Sequence, residues 1–416
     1  MNKLKNILSV CFAIIIASMF FVLPGCKSGK IEVVIWHQWD VEVGEQCHEF
    51  KVIVDEFNAS QDKIKVVLQK QESSGFSQKV YNAVANGVGP DMMIHFTTQL
   101  PEFIEDGLLA DMGKYVDLES YRTRLSETLY NDSMAFADEK LHILPIHESA
   151  MVFYYNKEMY TTLGLQAPTT WEEVQANAQR IHEEYDIPGF AVDSYVDIAQ
   201  TLFMQTGATY INTQTKSFGF NTPDCVSRLQ WYVDNVNAGN FGTLNFTTGS
   251  LEGDFNAGRV GSFLGSCSYY SVLNEDACEY GVVKVPVSGT PWAPIFNTGI
   301  IVLASNEERE SAACEFVEYL TNAENSARWA MSAGLLSPYN DADTYNGYTQ
   351  YVQGNKVLDV AQESIAYSYT TPAAIGAQAV RGELEAAFSQ AIGGTKTASQ
   401  ALAEAETNSN ALLREE

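Results

Sequence analysis

The sequence predicts an α/β protein with two or more domains. Its 416 residues exceed the length at which a single hydrophobic core usually stops growing. Past residue 30 the chain alternates between apolar strand-like runs and helix-like spacing, in the order strand, helix, strand, helix, strand, over residues 31–39, 43–58, 64–69, 76–86 and 92–96. This order is typical of a doubly wound sheet, in which helices cover both faces and ligands bind where strands end in loops.

Aromatic and polar residues lie where the first and third of these strands end. Because the carboxyl ends of parallel strands meet at one edge of a sheet, we expect these residues to lie near one another. They are Trp36, His37 and Trp39 at the end of the first strand, and His95, Phe96 and Thr97 at the end of the third.

Residues 141–174 carry the densest pattern in the chain. An apolar run broken by Pro145 and a second run rich in aromatic residues predict two strands. Gly164 is placed to end a helix, and Thr170 is placed to cap the next helix, which begins with an acidic first turn. The predicted elements are strand, strand, helix and helix over residues 141–146, 151–155, 158–163 and 171–185.

The remaining chain continues the alternation. A strand ends at residue 192 with Tyr195 just beyond it, and Tyr269 lies in a later loop. The acidic tail is predicted to be helical with a break at Gly393 and Gly394. Further helices and strands are predicted over residues 224–237, 280–286, 296–302, 312–320, 324–331 and 379–414.

The N-terminus has the form of an export signal. Lys3 and Lys5 precede an apolar run over residues 7–23, which ends in a Leu-Pro-Gly-Cys sequence at Cys26. That sequence resembles a bacterial lipobox, which implies a signal peptide over residues 1–25, lipid on the Cys26 thiol and a short linker up to residue 30. The alternative is a membrane anchor helix, for which 17 residues is a borderline length. Either interpretation places the protein outside the cell membrane, or in the periplasm if the cell has two membranes.

Charge and cysteine usage exclude several classes of function. The formal net charge of −27 argues against nucleic acid as a partner, because nucleic-acid binding depends on clusters of Lys and Arg. Seven Cys form no CxxC pair, and no His stands at zinc-ligand spacing from a Cys pair, so we expect no metal and no cofactor. A disulfide between Cys267 and Cys278 is left open.

The order of several short motifs resembles the family 1 extracellular solute-binding proteins, the sugar receptors of ABC importers. The motifs are Pro145, YYNK at residues 154–157, TWEE at residues 170–173, the first-strand Trp36, and GLLADM at residues 107–112. The resemblance implies a periplasmic-binding-protein-like type II fold, with two doubly wound lobes joined by a hinge of crossing strands.

The resemblance also implies lobe boundaries. The first lobe comprises residues 31–143 and 286–338, and the second lobe comprises residues 144–285 and 339–416. Residues 280–286 resemble the second of three crossings, and residues 334–338 resemble the third.

A sugar presents apolar C–H faces and a rim of hydroxyls, so its site needs aromatic rings beside hydrogen-bonding side chains. The family's ligand loops correspond here to the two first-lobe strand ends, the Tyr269 loop and the backbone at Thr298 and Gly299. In glycerol 3-phosphate-binding members, which this chain resembles at residues 35–37, a Trp matching Trp171 packs on the ligand. The candidate rings are Trp36, Trp39, Phe96, Tyr195, Tyr269 and Trp292, and the candidate hydrogen-bonding groups are Asp40, Glu148, Asp193 and Asn297.

The resemblance implies a monomeric receptor without catalytic activity, which captures an oligosaccharide by hinge closure and delivers it to the transmembrane permease subunits of an ABC importer. Glycerol 3-phosphate or a glycerophosphodiester is an alternative ligand, although the family's phosphate-binding Arg falls near Ala377 and Arg381 lies four residues later. An alternative of another class is an exported glycoside hydrolase, for which Glu148 and Asp193 are the conceivable carboxylates.

Overall fold

The computed structural model describes residues 29–413. The predicted signal peptide and the predicted lipidation site Cys26 lie outside the described residues. Within residues 29–413, no helix is both long enough and apolar enough to cross a membrane.

The first part of the chain forms the predicted alternation of strands and helices. The first helix begins at His48, five residues later than predicted, because Gly44 takes a left-handed conformation with φ of 94° and turns the chain before the helix. The elements are β1 (Ile31–His37), α1 (His48–Ser60), β2 (Ile64–Lys70), α2 (Phe76–Ala85), β3 (Met92–Phe96), α3 (Pro101–Glu105), α4 (Leu118–Arg124) and α5 (Glu127–Ser133).

The two strands predicted around residues 141–155 are one strand, β4 (Leu144–Asn156), which is 13 residues long. Pro145 does not interrupt it, because the neighbouring strand shifts register between Thr298 and Gly299, opposite this proline. Beyond β4, α6 (Lys157–Leu163) ends at Gly164 with φ of 65°, as predicted.

The helix predicted over residues 171–185 is confirmed as α7 (Trp171–Tyr185). The Thr170 hydroxyl accepts a hydrogen bond from the Glu173 backbone N–H at 3.2 Å, and the Glu173 carboxylate accepts one from the Thr170 backbone N–H. This capping box fixes the start of the helix. The next elements are β5 (Ala191–Val192), α8 (Tyr195–Met204), β6 (Ile211–Asn212), β7 (Ser217–Phe218), α9 (Pro223–Asn237), α10 (Leu251–Asn256), β8 (Ser262–Ser266) and β9 (Tyr280–Val283).

The last part of the chain returns through one long strand and ends in helices. The predicted break in the tail is confirmed, since two helices flank the glycine pair. The elements are β10 (Ala293–Val302), α11 (Glu307–Leu320), α12 (Ala323–Ala333), α13 (Tyr348–Gly354), α14 (Lys356–Ser364), β11 (Ser368–Tyr369), α15 (Ala377–Ile392) and α16 (Ala398–Leu412).

One mixed sheet runs through the molecule in the order β2-β1-β3-β10-β4-β8-β5, and four hydrophobic cores include residues of its strands. The core that includes Ile35 and Ile300 and the core that includes Met93 and Ile301 form what we call the first lobe. The cores that include Phe190 and Tyr154 hold the second lobe. Strands β4 and β10 extend through both lobes.

The predicted second crossing is wrong in its position. Strand β9 pairs with β4 from Phe153 to Asn156, inside the second lobe. The crossing is made by β10, because Ala293 packs in the second lobe and Ile300 in the first. At the predicted third crossing, Leu336 exchanges two backbone hydrogen bonds with Glu148 of β4. The predicted lobe boundaries stay a prediction, although this packing favours a return to the first lobe near residue 297.

Candidate ligand-binding site

A pocket of about 210 Å³ lies where β3, β10 and α15 meet, between the two lobes. It brings together three of the predicted ligand residues, which are Phe96, Thr97 and Asn297. The sequence analysis missed most of its other lining residues, which include Gln99, Asp132, Phe296, Thr370, Thr371 and Gln378.

Asp132 organises the polar side of this pocket. One of its carboxylate oxygens accepts a hydrogen bond from the Thr97 hydroxyl at 2.9 Å and one from the Asn297 amide at 3.1 Å. Burial raises the pKa of the Asp132 carboxyl, and hydrogen bonds from these two residues and from Thr370 oppose that shift. The side chains at the end of β3 and in the middle of β10 are therefore held in fixed positions.

An aromatic ring stands exposed beside this polar network. Phe96 is the last residue of β3, and it is 47% exposed, whereas the four preceding residues of the strand are buried. An exposed phenylalanine at a strand end that opens into a pocket provides an apolar face for a ligand.

Trp36 is half-buried at the end of β1. Its indole N–H donates a hydrogen bond to the Gln69 side chain at 2.9 Å, and the ammonium of Lys79 lies 5.4 Å from its ring centre. One ring face is therefore occupied by a cation.

The second lobe contributes two loops after adjacent strands. Asp193 follows β5 and Tyr269 follows β8, and the Tyr269 hydroxyl donates a hydrogen bond to the Asp193 carboxylate. The Tyr269 ring packs edge-on against Phe263, with ring centres 5.5 Å apart. Both residues were candidates from the sequence, and the structure places them in contact.

Arg381 brings a positive charge to the wall of the 210 Å³ pocket. Its guanidinium lies 3.5 Å from the carboxylate of Asp197, which is mostly buried. The Arg381 charge is therefore partly neutralised within the protein.

Glu148 and His147 lie at the hinge, where β4 passes between the lobes. Burial raises the pKa of the Glu148 carboxyl to about 8 and lowers that of the His147 imidazole to about 4, so both side chains are neutral near pH 7. Among residues 29–413, Glu148 Oε2 has no hydrogen-bond partner. Glu148 is a hinge residue in this structure and is not exposed to a ligand.

Three predicted ligand aromatics lie in the interior of the second lobe. Trp171 is fully buried, and its indole N–H donates a hydrogen bond to the Gln205 side chain at 3.0 Å. Tyr195 packs with its ring centre 5.9 Å from that of Phe388, and Trp292 is 8% exposed. Core packing explains the positions of Trp171 and Tyr195, and Trp292 is enclosed beside Tyr369 with ring centres 5.4 Å apart, so we leave all three out of the proposed site.

The other first-lobe candidates are also mostly enclosed. His37 is 1% exposed, and burial lowers its pKa to about 4. Trp39 packs against Trp329 with ring centres 4.8 Å apart. His95 is buried, and its Nε2 lies 2.6 Å from the Ser77 hydroxyl.

Thr298 and Gly299 lie in the crossing strand rather than in a turn. Gly299 has a packing reason for lacking a side chain, because a Cβ atom there would lie 2.3 Å from Ile143 and 2.8 Å from the Leu144 carbonyl oxygen. The predicted close approach of this backbone to a ligand stays a prediction.

The cysteines that the structure describes are all free, including Cys267 and Cys278. Cys278 instead accepts a hydrogen bond from the Asn156 amide at 3.2 Å. No group of three or more His, Cys, Asp or Glu side chains within residues 29–413 is arranged to hold a metal ion.

Comparison with known proteins identifies relatives over most of the chain. Residues 48–327 match the family model described as bacterial extracellular solute-binding protein. The maltotriose-binding protein of Pyrococcus abyssi is 22% identical over 382 residues, which cover 88% of this chain and 78% of that protein. An sn-glycerol-3-phosphate-binding periplasmic protein of Yersinia pestis is 22% identical over 354 residues, 79% of each chain.

Solved structures share the whole fold. The cyclic α-maltosyl-1,6-maltose-binding protein of Arthrobacter globiformis superposes with a TM-score of 0.81 at 24% identity, covering 93% of this chain and all of that one. An ABC substrate-binding protein of Listeria monocytogenes in complex with cycloalternan gives a TM-score of 0.78 at 19% identity, covering 92% and 98% of the two chains. The fold is therefore the predicted type II periplasmic-binding-protein fold.

Proposed function

Because this chain belongs to the bacterial extracellular solute-binding protein family, we propose that it captures a carbohydrate between its two lobes and delivers it to the permease of an ABC importer. The ligand class follows the relatives, among which a maltotriose-binding protein matches 88% of this chain. The proposal is a binding function and involves no catalysis.

The observation that carries this proposal is the pairing of an exposed ring with a fixed polar network at the pocket between the lobes. Phe96 offers an apolar face, while Gln99, Thr371 and Gln378 offer amides and a hydroxyl elsewhere in the lining of the same pocket. Sugars are bound by this combination, because each ring has C–H faces and a rim of hydroxyls. Tyr269 and Asp193 would provide a second such pair from the second lobe.

Hinge closure is the proposed mechanism of capture. The lobes are joined by β4, β10 and the segment at Leu336, which meet at Glu148. A ligand that contacts both lobes binds the closed form better than the open form, and this difference in affinity shifts the population toward closure. The closed form would then dock on the transmembrane subunits.

Membrane attachment through Cys26 is part of the same proposal. The lipobox-like sequence before Cys26 and the apolar run over residues 7–23 support export and lipidation. A receptor held at the outer face of the cell membrane keeps its ligand near the permease. Replacing Cys26 with Ser would release the protein into the medium or the periplasm, which fractionation of cells would detect.

Glycerol 3-phosphate is a second candidate ligand, because Arg381 lines the pocket and a relative that binds this compound matches 79% of the chain. The pairing of Arg381 with Asp197 and the presence of Asp132 in the same pocket favour a neutral ligand over a phosphate.

A thermal-shift screen of residues 27–416 tests the proposal. The set should contain monosaccharides, linear and cyclic oligosaccharides, polyols and glycerol 3-phosphate. A ligand that binds only the folded state raises the melting temperature by mass action. We expect a rise with a neutral oligosaccharide; a rise with glycerol 3-phosphate alone would replace the ligand class, and no rise with any compound would contradict the proposal.

A further inference from the structure

A second cavity, of about 710 Å³, is distinct from the pocket beside Phe96 and also has residues of both lobes in its lining. The first lobe contributes α3 and the loop at Phe136, and the second lobe contributes the β6–β7 hairpin, the segment at Ala374 and Leu413, which follows α16.

The two pockets adjoin along the same seam between the lobes. In the first lobe, Gln99 lines the smaller pocket and Pro101 lines the larger one, two residues further along the chain. On the opposite wall, Thr371 lines the smaller pocket and Ala373 the larger one. A ligand could therefore extend from one pocket to the other without leaving the seam.

The volumes argue that one pocket is not enough. Small-molecule sites typically measure about 300–1,000 Å³. The pocket beside Phe96, at about 210 Å³, is below that range, whereas the larger pocket, at about 710 Å³, falls within it. A ligand that contacts Phe96 therefore has to occupy the larger pocket as well if most of its surface is to be enclosed.

The lining of the larger pocket suits a neutral chain of sugar units. Apolar surface comes from Ile104 and Ile211, while Thr213 and Gln214 present a hydroxyl and an amide from the exposed turn of the hairpin. Two acids and two lysines also line it, so it carries no excess of either charge. One of these pairs, Lys140 and Asp138, is an ion pair at 3.1 Å.

The β6–β7 hairpin, which forms one wall of the larger pocket, is held in place by hydrogen bonds. Its two strands are joined in antiparallel register, and the Asn212 side chain accepts hydrogen bonds from the backbone of Gln214 and Thr215 at 3.1 and 2.9 Å. The Phe218 backbone N–H donates to the Asn410 side chain at 2.8 Å, which ties the hairpin to α16.

We propose that the ligand is an oligosaccharide of three or more sugar units that runs from Phe96 into the larger pocket, where the turn at Thr213 and Gln214 binds its far end. This inference rests on the proposed function and adds the chain length of the ligand and the residues that select it. Affinity then increases with chain length until the larger pocket is filled.

Calorimetric titration of residues 27–416 with glucose, maltose, maltotriose, maltotetraose and maltohexaose tests this inference. We expect the Kd to fall by about tenfold or more between maltose and maltotetraose, because the longer chain gains contacts in the second pocket. The double variant Thr213→Ala with Gln214→Ala should raise the Kd for maltotetraose by about three- to tenfold and leave the Kd for maltose unchanged.

Thr215→Ala is the matched control, because Thr215 lies in the same turn but does not line the pocket, and its hydroxyl lies 2.7 Å from that of Ser217. We expect wild-type affinity from it at every chain length. Equal affinity of the double variant and the wild type for maltotetraose would overturn the inference and leave the proposed function intact. Failure of the wild-type protein to bind any saccharide would overturn both.

Discussion

The Tyr269 hydroxyl donates a hydrogen bond to the Asp193 carboxylate, which ties the loop after β8 to the loop after β5. Those strands are parallel neighbours, paired at Ala191 with Phe263 and at Val192 with Leu264, so both loops open at the same edge of the second lobe. A carboxylate that accepts one hydrogen bond keeps lone pairs for sugar hydroxyls. The pair thus combines an aromatic face with an acceptor at a fixed position.

Replacing Tyr269 with Ala should weaken carbohydrate binding by roughly tenfold, because the ring face is lost. Tyr269→Phe keeps the ring and should weaken binding by less than about threefold. Calorimetric titration of both variants separates the ring from the hydroxyl. Wild-type affinity in the Ala variant would remove Tyr269 from the site.

Trp171 should be essential to stability and not to ligand contact. It is fully buried between Phe190 and Trp231 and is bonded to Gln205. We expect Trp171→Ala to lower the free energy of unfolding by about 3–5 kcal/mol, measured by urea denaturation. Trp171→Phe should retain the wild-type Kd. A large loss of affinity in the Phe variant without a change in the urea midpoint would restore the ligand role that the family resemblance implies.

Local signals predicted the elements of this fold well, and contacts between distant residues account for what the sequence did not reveal. The N-cap at Thr170 and the helix end at Gly164 depend only on residues that are a few positions apart, so the sequence predicted both. Pro145 does not break the strand, because the register shift that accommodates it arises only when β4 pairs with β10, about 150 residues later in the chain.

The same limit applies to the site. Asp132 contacts Asn297 across 165 residues, and nothing in its own helix marks it as a pocket residue. Trp171 and Tyr195 are aromatic, as expected of residues in a sugar site. Both are buried, and their burial depends on how the whole lobe packs, which the local sequence does not show. Residue type and spacing therefore predicted the loops at the strand ends better than they predicted which rings are exposed.

Glu148 should make stability depend on pH. Its pKa is about 8 in the folded state, against 4.5 for the ordinary side chain, because burial disfavours its charge. The folded state therefore binds the proton more tightly, and this group's contribution to stability is lost as pH rises from about 4.5 to about 8. The expected slope is at most about 1.4 kcal/mol per pH unit.

Glu148→Gln removes that titration, so the variant should gain stability relative to the wild-type protein as pH rises from 5 to 8. Urea denaturation at several pH values measures the difference. The His147 pKa is lowered to about 4, so the contribution of His147 to stability decreases as pH falls below its ordinary pKa of 6.5. This contribution is the same in the variant and in the wild-type protein, and it cancels in the difference between them. A difference that does not change with pH would show that Glu148 is ionised in the folded state.

Gly299 should tolerate no side chain. A Cβ atom would approach Ile143 to 2.3 Å and the Leu144 carbonyl oxygen to 2.8 Å, at the point where β10 crosses between lobes. We expect Gly299→Ala to cost about 1–3 kcal/mol of stability by overpacking. The control is Gly382→Ala in α15, where an added Cβ atom would meet no neighbouring atom within 4 Å. This variant should raise the free energy of unfolding by about 0.5–1 kcal/mol. Equal effects of the two variants would mean that the crossing is not closely packed.

Capture by hinge closure can be tested by small-angle X-ray scattering of residues 27–416 with and without the saccharide that gives the largest thermal shift. Capture between two lobes requires both to close on the ligand. We therefore predict a smaller radius of gyration at saturating oligosaccharide, and no change with a saccharide that gives no thermal shift. A radius of gyration unaltered by a saccharide that binds tightly would contradict capture by hinge closure.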